Sequence, residues 1–569
     1  MHYPVLSTCL YYYLCLGKHF LHPKFLRFMK QMKKNNIKLY GTYFLPILVA
    51  FVFELLFSSI YIERVYNVLE NILFGFILLL PVQLLNGHKF QKACLKLMYL
   101  ILVFTVFFET GYYLIFNAKF NASSVFIFSQ TNYTEAKEFL SFYLDYRVYL
   151  LLFVLVVISL VFLKTLKKTA TISFLNAGKS KILIAFAVLL SSLVLVSYTR
   201  RENLPFIVGK SFYDLNKDSY YSDLDAYKTK FGPFETIPSQ VANDSKETIV
   251  VVIGESTSRR HLGLYGYERN TTPLLNILKP ELVVYDNVIS PHALTVETLK
   301  KALTLNVDDA NGTIVQLLNR ADYKTFWLSN QNPIGLHESF VSKVANASDK
   351  TVFLTAARFM NNKVYDENLN VHLEKALADK AKKKVVFIHL QGTHFDYKYR
   401  YPESFEVFRG ATGTKFQSDK ANQVINTYDN AVLYNDFVVS SFVETLKKNE
   451  KHSALLYFSD HGEEVYDSME FVGHTDDVGS LPMFQIPFIL WQSKDFKSTH
   501  ESRFEFNPKR PYITEGLFHS IADLCDVEST FVNPKKSIFN SNFVKQKRII
   551  LNNKDYDSLL LKEQKTQFN

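Results

Sequence analysis

Cysteine is scarce. The 569 residues hold four, Cys9, Cys15, Cys94 and Cys525, and three of them fall in an apolar first third. The polar remainder has one, so no disulfide framework can form within it, and cysteine usage leaves the compartment to be read from topology. Zinc-finger spacing and an RNA-binding aromatic signature are both missing, which argues against nucleic acid as a partner despite a formal charge of +10. Internal repeats and low-complexity blocks are absent. The apolar segment at 4–16 is too short to span a bilayer and is not followed by a clean signal-peptide cleavage site.

What the chain has in quantity is apolar sequence, 48% of all residues with 15% aromatic, enough for two or more domains. The lysines cluster beside the apolar spans, which points to a membrane surface. Five spans approach the roughly 20 residues needed to cross a bilayer: about 41–60, 68–85, 97–116, 148–163 and 182–198. Lys30, Lys33, Lys34 and Lys38 precede the first. Lys89, Lys92 and Lys96 separate the second from the third, and Lys164, Lys167, Lys168, Lys179 and Lys181 the fourth from the fifth. The alternate loops balance fewer bases with Glu63, Glu135, Glu138 and Asp145. Positive-inside bias then places the N-terminus in the cytoplasm and everything after 198 outside. The expected division is a cytoplasmic segment 1–38, a five-span domain 39–198, a membrane-proximal linker 199–245 and a catalytic domain 246–569. Glu54 and Glu109 fall inside spans, as lipid-headgroup contacts or, more plainly, as hydrogen-bonded bundle residues. Glu70 is near enough to a span end to reach the interface. Asn132 and Glu135 read as the start of a helix along the membrane face.

After 247 short apolar runs alternate with longer helical stretches. Strands are expected at 248–253, 282–289, 325–328, 385–390, 454–458 and 486–491, and helices at 296–305, 366–381, 421–446 and 514–524. That alternation predicts a doubly wound α/β/α domain. The tail after 533 is lysine-rich and reads as peripheral. In such sheets ligands collect at the carboxyl ends of the strands, and the chemistry-bearing residues fall there. The stretch ETIVVVIGESTSRRHLGLYGYERNTTP (247–273) delivers Glu255, followed by Arg259 and Arg260, suited to a phosphate-bearing surface or to a solvated loop. SDHGEE (459–464) delivers Asp460 and His461 before a turn glycine. HLQGTHFDYKYRYP (389–402) delivers His389 and His394, able to bind phosphoryl oxygens or exchange protons. VGHT carries His474, and TFWLSNQ ends in the amide donors Asn330 and Gln331. ISPHALT ends at Thr295, where a helix would begin. Its hydroxyl is either an N-cap or a nucleophile activated by a metal and a helix start. Glu255, Asp460 and His461 together could hold one zinc ion with O, O and N ligands.

With these motifs in this order, the chain resembles the membrane-anchored phosphoethanolamine transferases of Gram-negative bacteria, within the alkaline phosphatase and sulfatase superfamily. The resemblance implies zinc held by Glu255, Asp460, His461 and Thr295, with Thr295 as nucleophile. It implies that His394 and His474 contact the transferred group and that His389, Asn330 and Gln331 line its site. It further implies an inner-membrane enzyme with a periplasmic catalytic domain. Such an enzyme takes phosphoethanolamine from phosphatidylethanolamine to lipid A, a core sugar or another envelope glycan or protein. The expected state is a monomer. Two departures bear on the acceptor: Asn332-Pro-Ile-Gly335 lacks the lysine many lipid A enzymes carry there, and the disulfides of many relatives cannot form. The alternative within the superfamily is glycerol-phosphate transfer of the lipoteichoic-acid-synthase type. A sulfatase is excluded because Thr295-Val-Glu-Thr lacks the C/S-x-P-x-R setting. A non-catalytic metal-binding sensor would require loss of a ligand or the nucleophile, and all are present.

Overall fold

The computed structural model describes residues 34–57, 62–85, 87–116, 144–169, 203–209, 229–235, 246–307, 310–331, 340–354 and 364–567, with single positions at 120, 125, 137, 186, 189, 226 and 227. They divide into two compact units, Met1–Val125 with Tyr143–Phe212, and Phe126–Phe142 with Tyr213–Asn569.

In the first unit, α1 (Lys34–Phe57), α2 (Ile62–Leu84), α3 (His88–Phe116) and α4 (Tyr146–Lys168) are each long and apolar enough to cross a membrane. They overlap the first four expected spans. Apart from the single positions 186 and 189, the expected span at 182–198 lies outside the described residues, as do the segment 4–16, the helix start at Asn132 and most of the linker. The helices pack through aromatic rings, with Tyr99 stacked on Phe162 at 3.8 Å and Tyr43 donating its hydroxyl to Gly75 O. Glu54 is paired with Arg64 and accepts from Thr110, while Glu109 accepts from Asn67, Asn71 and the Leu204 amide. Both carboxylates are thus satisfied inside the bundle. Glu70, near the end of its span, is buried among the helices.

The second unit is built on a seven-stranded sheet: β1 (Glu247–Gly254), β2 (Leu282–Val284), β3 (Lys324–Ser329), β4 (Lys350–Phe353), β5 (Lys383–His389), β6 (Ser453–Ser459) and β7 (Phe488–Gln492), in the order β2-β7-β6-β1-β5-β3-β4. Neighbours are parallel except where β7 meets β6 and β2, so the sheet is mixed. β1 is an uninterrupted apolar run because both faces are covered. Ile249, Val251 and Ile253 pack on the side of α5 (Thr295–Leu303) and α8 (Leu517–Leu524). Val250 and Val252 pack on the side of α6 (Leu369–Leu377) and α7 (Asp419–Asn449). The register pairs Ile253 with His389, Gly254 with Ser459 and Ser329 with His389. Four strands therefore end level, and the residues that follow them share one edge.

Several expectations are corrected. The run 282–289 is not one strand: the amides of Tyr285 and Asp286 turn to Phe488 O and Pro508 O, and Val288–Ile289 pairs with Tyr512–Ile513 in a separate two-stranded sheet. The helix expected over 366–381 begins as a 3-10 turn and is regular only over α6, because Asp366 bonds outside it, to the amides of Gln391 and Gly392. The tail is not peripheral. Lys535, Lys545, Lys547, Lys554 and Lys562 are exposed, but Ile538 and Phe539 enter the core, and Ile550 and Tyr556 pack on Ile289 and Met483. Leu456 lies fully buried at the centre of β6, so Leu456→Ala is expected to destabilise the soluble domain by about 2–5 kcal/mol. Unfolding followed through buried Trp327 measures this, and an unchanged midpoint would contradict the placement.

Candidate active site

The level strand ends fix the site. Glu255 follows β1 directly, and Ser256 after it is left-handed, with φ of 57°. A non-glycine residue is held there only where its surroundings over-determine it. The surroundings do so: Ser256 N–H donates to Asp460 Oδ1, Ser256 O accepts from Tyr428 and Thr393, and Glu255 O accepts the Thr393 amide. Gly392, with φ of +53°, passes so close that a Cβ would lie 2.8 Å from both N and O of Glu255. The turn glycine of SDHGEE is needed for space, not for a left-handed backbone, because a Cβ on Gly462 would stand 2.1 Å from Pro482 O.

Asp460 divides its two oxygens. Oδ1 accepts the amides of Ser256 and His461, at 3.0 and 2.7 Å. Oδ2 is buried and has no hydrogen-bond partner among the described residues. His461 donates from Nδ1 to Gly462 O at 2.9 Å, which fixes its tautomer and leaves Nε2 facing Glu255 Oε1 and Asp460 Oδ2, each at 3.4 Å. Thr295 completes the group. It is the first residue of α5, but Leu294 is the cap, and no side chain caps this helix. The expected capping role is lost because Thr295 Oγ1 is turned to Glu255, 3.3 and 3.2 Å from its two oxygens and 3.4 Å from His461 Nε2.

Burial opposes charge on all three ligand-type groups; the mutual fields override it at His461 and Glu255 but not at Asp460. His461 is raised to about 10 by Asp460 and Glu255 once the opposing burial is overcome. Glu255 is held below the ordinary carboxylate range, chiefly by His461, against burial. Burial and the charge of Glu255 push Asp460 up to about 7. Two dry carboxylates facing one imidazole demand a positive charge between them. The orphaned Asp460 Oδ2, the inward-facing His461 Nε2 and an O, O, N donor set with one donor atom of each residue within 4.8 Å of the others fit a zinc ion, which would take the place of the Nε2 proton.

His474 lies against His461, ring centroids 4.1 Å apart, and gives its Nδ1 proton to Glu463 at 2.6 Å. Glu463 also accepts from Tyr397. His394 stands near enough for its charge to lower Glu255. His389 is buried beneath, both ring nitrogens without hydrogen-bond partners among the described residues, and burial pushes it down to about 4. Gln331 donates to Glu255 Oε2 and Leu390 O, whereas the Asn330 amide is committed to Asp366 and Val364 O. Arg259 donates to Val288 O, and Arg260 to Gln485 and Glu563, so both hold the fold around the loop.

A match to the Sulfatase family spans residues 247–527. The phosphoethanolamine transferase EptC of Escherichia coli K12 is 30% identical over 530 residues, 86% of this chain and 90% of that protein. The chain belongs to the phosphoethanolamine transferase family. The transferase CptA of Salmonella typhimurium is also 30% identical, over 532 residues. Among solved structures, the zinc complex of the C-terminal periplasmic domain of E. coli EptC superposes with a TM-score of 0.54 at 35% identity, covering 57% of this chain and 96% of that one. The integral membrane EptA of Neisseria meningitidis reaches a TM-score of 0.60 at 20% identity, covering 86% and 98%, a likeness of fold that includes the apolar helices. This transferase is accordingly an integral membrane protein with a C-terminal soluble domain.

Sequence reasoning missed the positioning residues of this transferase. Glu463 stood beside Asp460 and His461 in the same motif and was the easiest to find. Asp476 binds His292 at 2.7 Å and the Ala293 amide at 2.8 Å, tying the segment before Thr295 to the one after His474. Asp366 and Tyr428 come from separate helical segments and carry no local signal. Gly392→Ala should displace Glu255 and lower turnover about a hundredfold. Gly410→Ala, at an equally left-handed but open position with φ of +86°, should not. Parallel activity assays separate crowding at Glu255 from backbone strain, and equal losses would contradict the account.

Proposed function

We propose that the chain moves phosphoethanolamine from phosphatidylethanolamine to an envelope acceptor, lipid A or core lipooligosaccharide, through a phosphoethanolamine–threonine intermediate on Thr295. The enzyme would sit in the inner membrane with its soluble domain in the periplasm. The carrying observation is the Thr295 hydroxyl, turned away from its own helix and onto Glu255 and His461.

In the first step Thr295 Oγ1 gives up its proton and forms a bond to phosphorus while the bond to the diacylglycerol oxygen breaks, that oxygen leaving with a proton. In the second, an acceptor oxygen forms the new bond to phosphorus and gives up any proton it carries, the Oγ1–phosphorus bond breaks, and Thr295 Oγ1 takes a proton back. Zinc held by Glu255, Asp460, His461 and Thr295 would supply Lewis acidity, lowering the hydroxyl pKa and drawing charge from the phosphoryl oxygens. Thr295 opens α5, where first-turn amides lack intrahelical partners and favour an anion. His474, its Nδ1 proton held on Glu463, offers Nε2 to give or take the proton at the departing or attacking oxygen. His394 faces the same group. His389, Asn330 and Gln331 form the floor beneath it, with His389 neutral at physiological pH. A lipid donor and a membrane anchor support an acceptor in the envelope.

Full-length enzyme incubated with fluorescent phosphatidylethanolamine should release diacylglycerol. Thr295→Ala should reduce release to background, while His474→Ala should lower it about 100- to 10,000-fold. Full release by Thr295→Ala would overturn the reading. Mass spectrometry of lipid A and core from cells with and without the gene identifies the acceptor.

A further inference from the structure

At the opposite end of β1 from Glu255 stands a second convergence of metal-type donors that the transfer chemistry does not use. Glu247 is the first residue of β1, His452 immediately precedes β6, and His500 ends the helix Lys494–His500. Glu247 Oε2 lies 3.5 Å from His452 Nδ1 and 3.9 Å from His500 Nε2, and one donor atom of each residue lies within 4.8 Å of the others.

Each donor is aimed by a partner on its far side. Glu247 Oε1 accepts the Tyr323 hydroxyl at 2.5 Å, which leaves Oε2 toward the imidazoles. His500 donates from Nδ1 to Phe496 O at 2.9 Å, so Nε2 presents a lone pair. Its ring is stacked between Phe496 and Phe504, at 4.2 and 5.5 Å. His452 meets Thr499 through Nε2 at 3.2 Å, and its Nδ1 is buried with no hydrogen-bond partner among the described residues. Histidines pinned through the outer nitrogen and free at the inner one are the usual arrangement around a metal.

The spacing sets this cluster apart from the hydrogen-bonded His–carboxylate pairs of the chain, and what distinguishes it from the 3.4 Å stand-off of His261 Nε2 from Asp467 Oδ2 is that two imidazoles converge on one carboxylate. Elsewhere in this chain His261, His292 and His474 bond their carboxylates at 2.7, 2.7 and 2.6 Å. The histidines at Glu247 stand back from it, as His461 stands 3.4 Å from both carboxylates at the catalytic cluster. Ligands on a tetrahedral zinc ion, with bonds of about 2.0–2.2 Å, are held apart by roughly 3.3–3.5 Å.

We propose that Glu247, His452 and His500 bind a structural zinc-class cation that clamps the helix Lys494–His500 and the start of β6 onto the amino end of β1. One carboxylate oxygen and two neutral imidazoles suit zinc better than calcium or magnesium. Water supplies the fourth ligand through the side where His452 keeps 19% of its side chain exposed.

The test is metal analysis of full-length protein in detergent, loaded with zinc and dialysed. His452→Gln and His500→Ala should each hold one zinc fewer per chain than the parent. The same loss should appear in a His461→Ala background, which removes the catalytic contribution. Cobalt-loaded His461→Ala protein should show tetrahedral absorption that disappears when His452→Gln is added. Half-buried His452→Gln keeps the fold intact if His500→Ala does not, and its diacylglycerol release should stay within about twofold of wild type. Zinc counts and cobalt spectra unchanged by His452→Gln in both backgrounds would overturn the proposal.

Discussion

Two carboxylates and an imidazole sealed from water at one sheet edge need a compensating positive charge, and the soluble domain is arranged around that need. Glu255 and Asp460 are brought side by side because β1 and β6 end in register. The left-handed turn at Ser256 then spends one Asp460 oxygen on backbone amides and leaves the other bare. His461 is fixed in the tautomer that faces both acids. Thr295 gives up a capping role to join them. The strained serine, the crowded Gly392 and Gly462 and the uncapped helix all lie where they serve this one cluster.

The same logic extends outward. Asp366 fastens the Gln391–Gly392 turn that braces Glu255, Glu463 orients His474, and Asp476 ties the approach to Thr295 to the segment carrying His474. In the apolar helices the buried acids Glu54 and Glu109 are answered by Arg64, Thr110, Asn67 and Asn71, so polar groups far from water are again paired internally. The proposed clamp at Glu247 would apply the principle once more, at the other end of the central strand.

The sheet and the cluster were legible for the reason that they depend on short-range pattern. A strand buried on both faces reads as a continuous apolar run, and the residue after it is delivered to the ligand-binding edge, which is how Glu255, Asp460 and His461 could be named. Thr295 was visible as a helix start, but whether its hydroxyl served the helix or Glu255 depends on a contact between residues 40 apart in the chain. The break at Tyr285 and the docking of the tail depend on partners such as Phe488 O, Pro508 O and Ile289, which no local spacing encodes. Glu247, His452 and His500 share no motif at all. Only the alignment of β1 with β6 and the packing of a short helix bring them together.

The proposed function turns on Thr295 Oγ1 as the nucleophile that carries the transferred group. Its most direct test is peptide mapping by mass spectrometry of full-length enzyme quenched during turnover with phosphatidylethanolamine and no acceptor. The account predicts a phosphoethanolamine adduct on the peptide containing Thr295, localised to that residue and discharged when acceptor is added. An adduct on another residue, or product formed with Thr295 unmodified throughout, would contradict it.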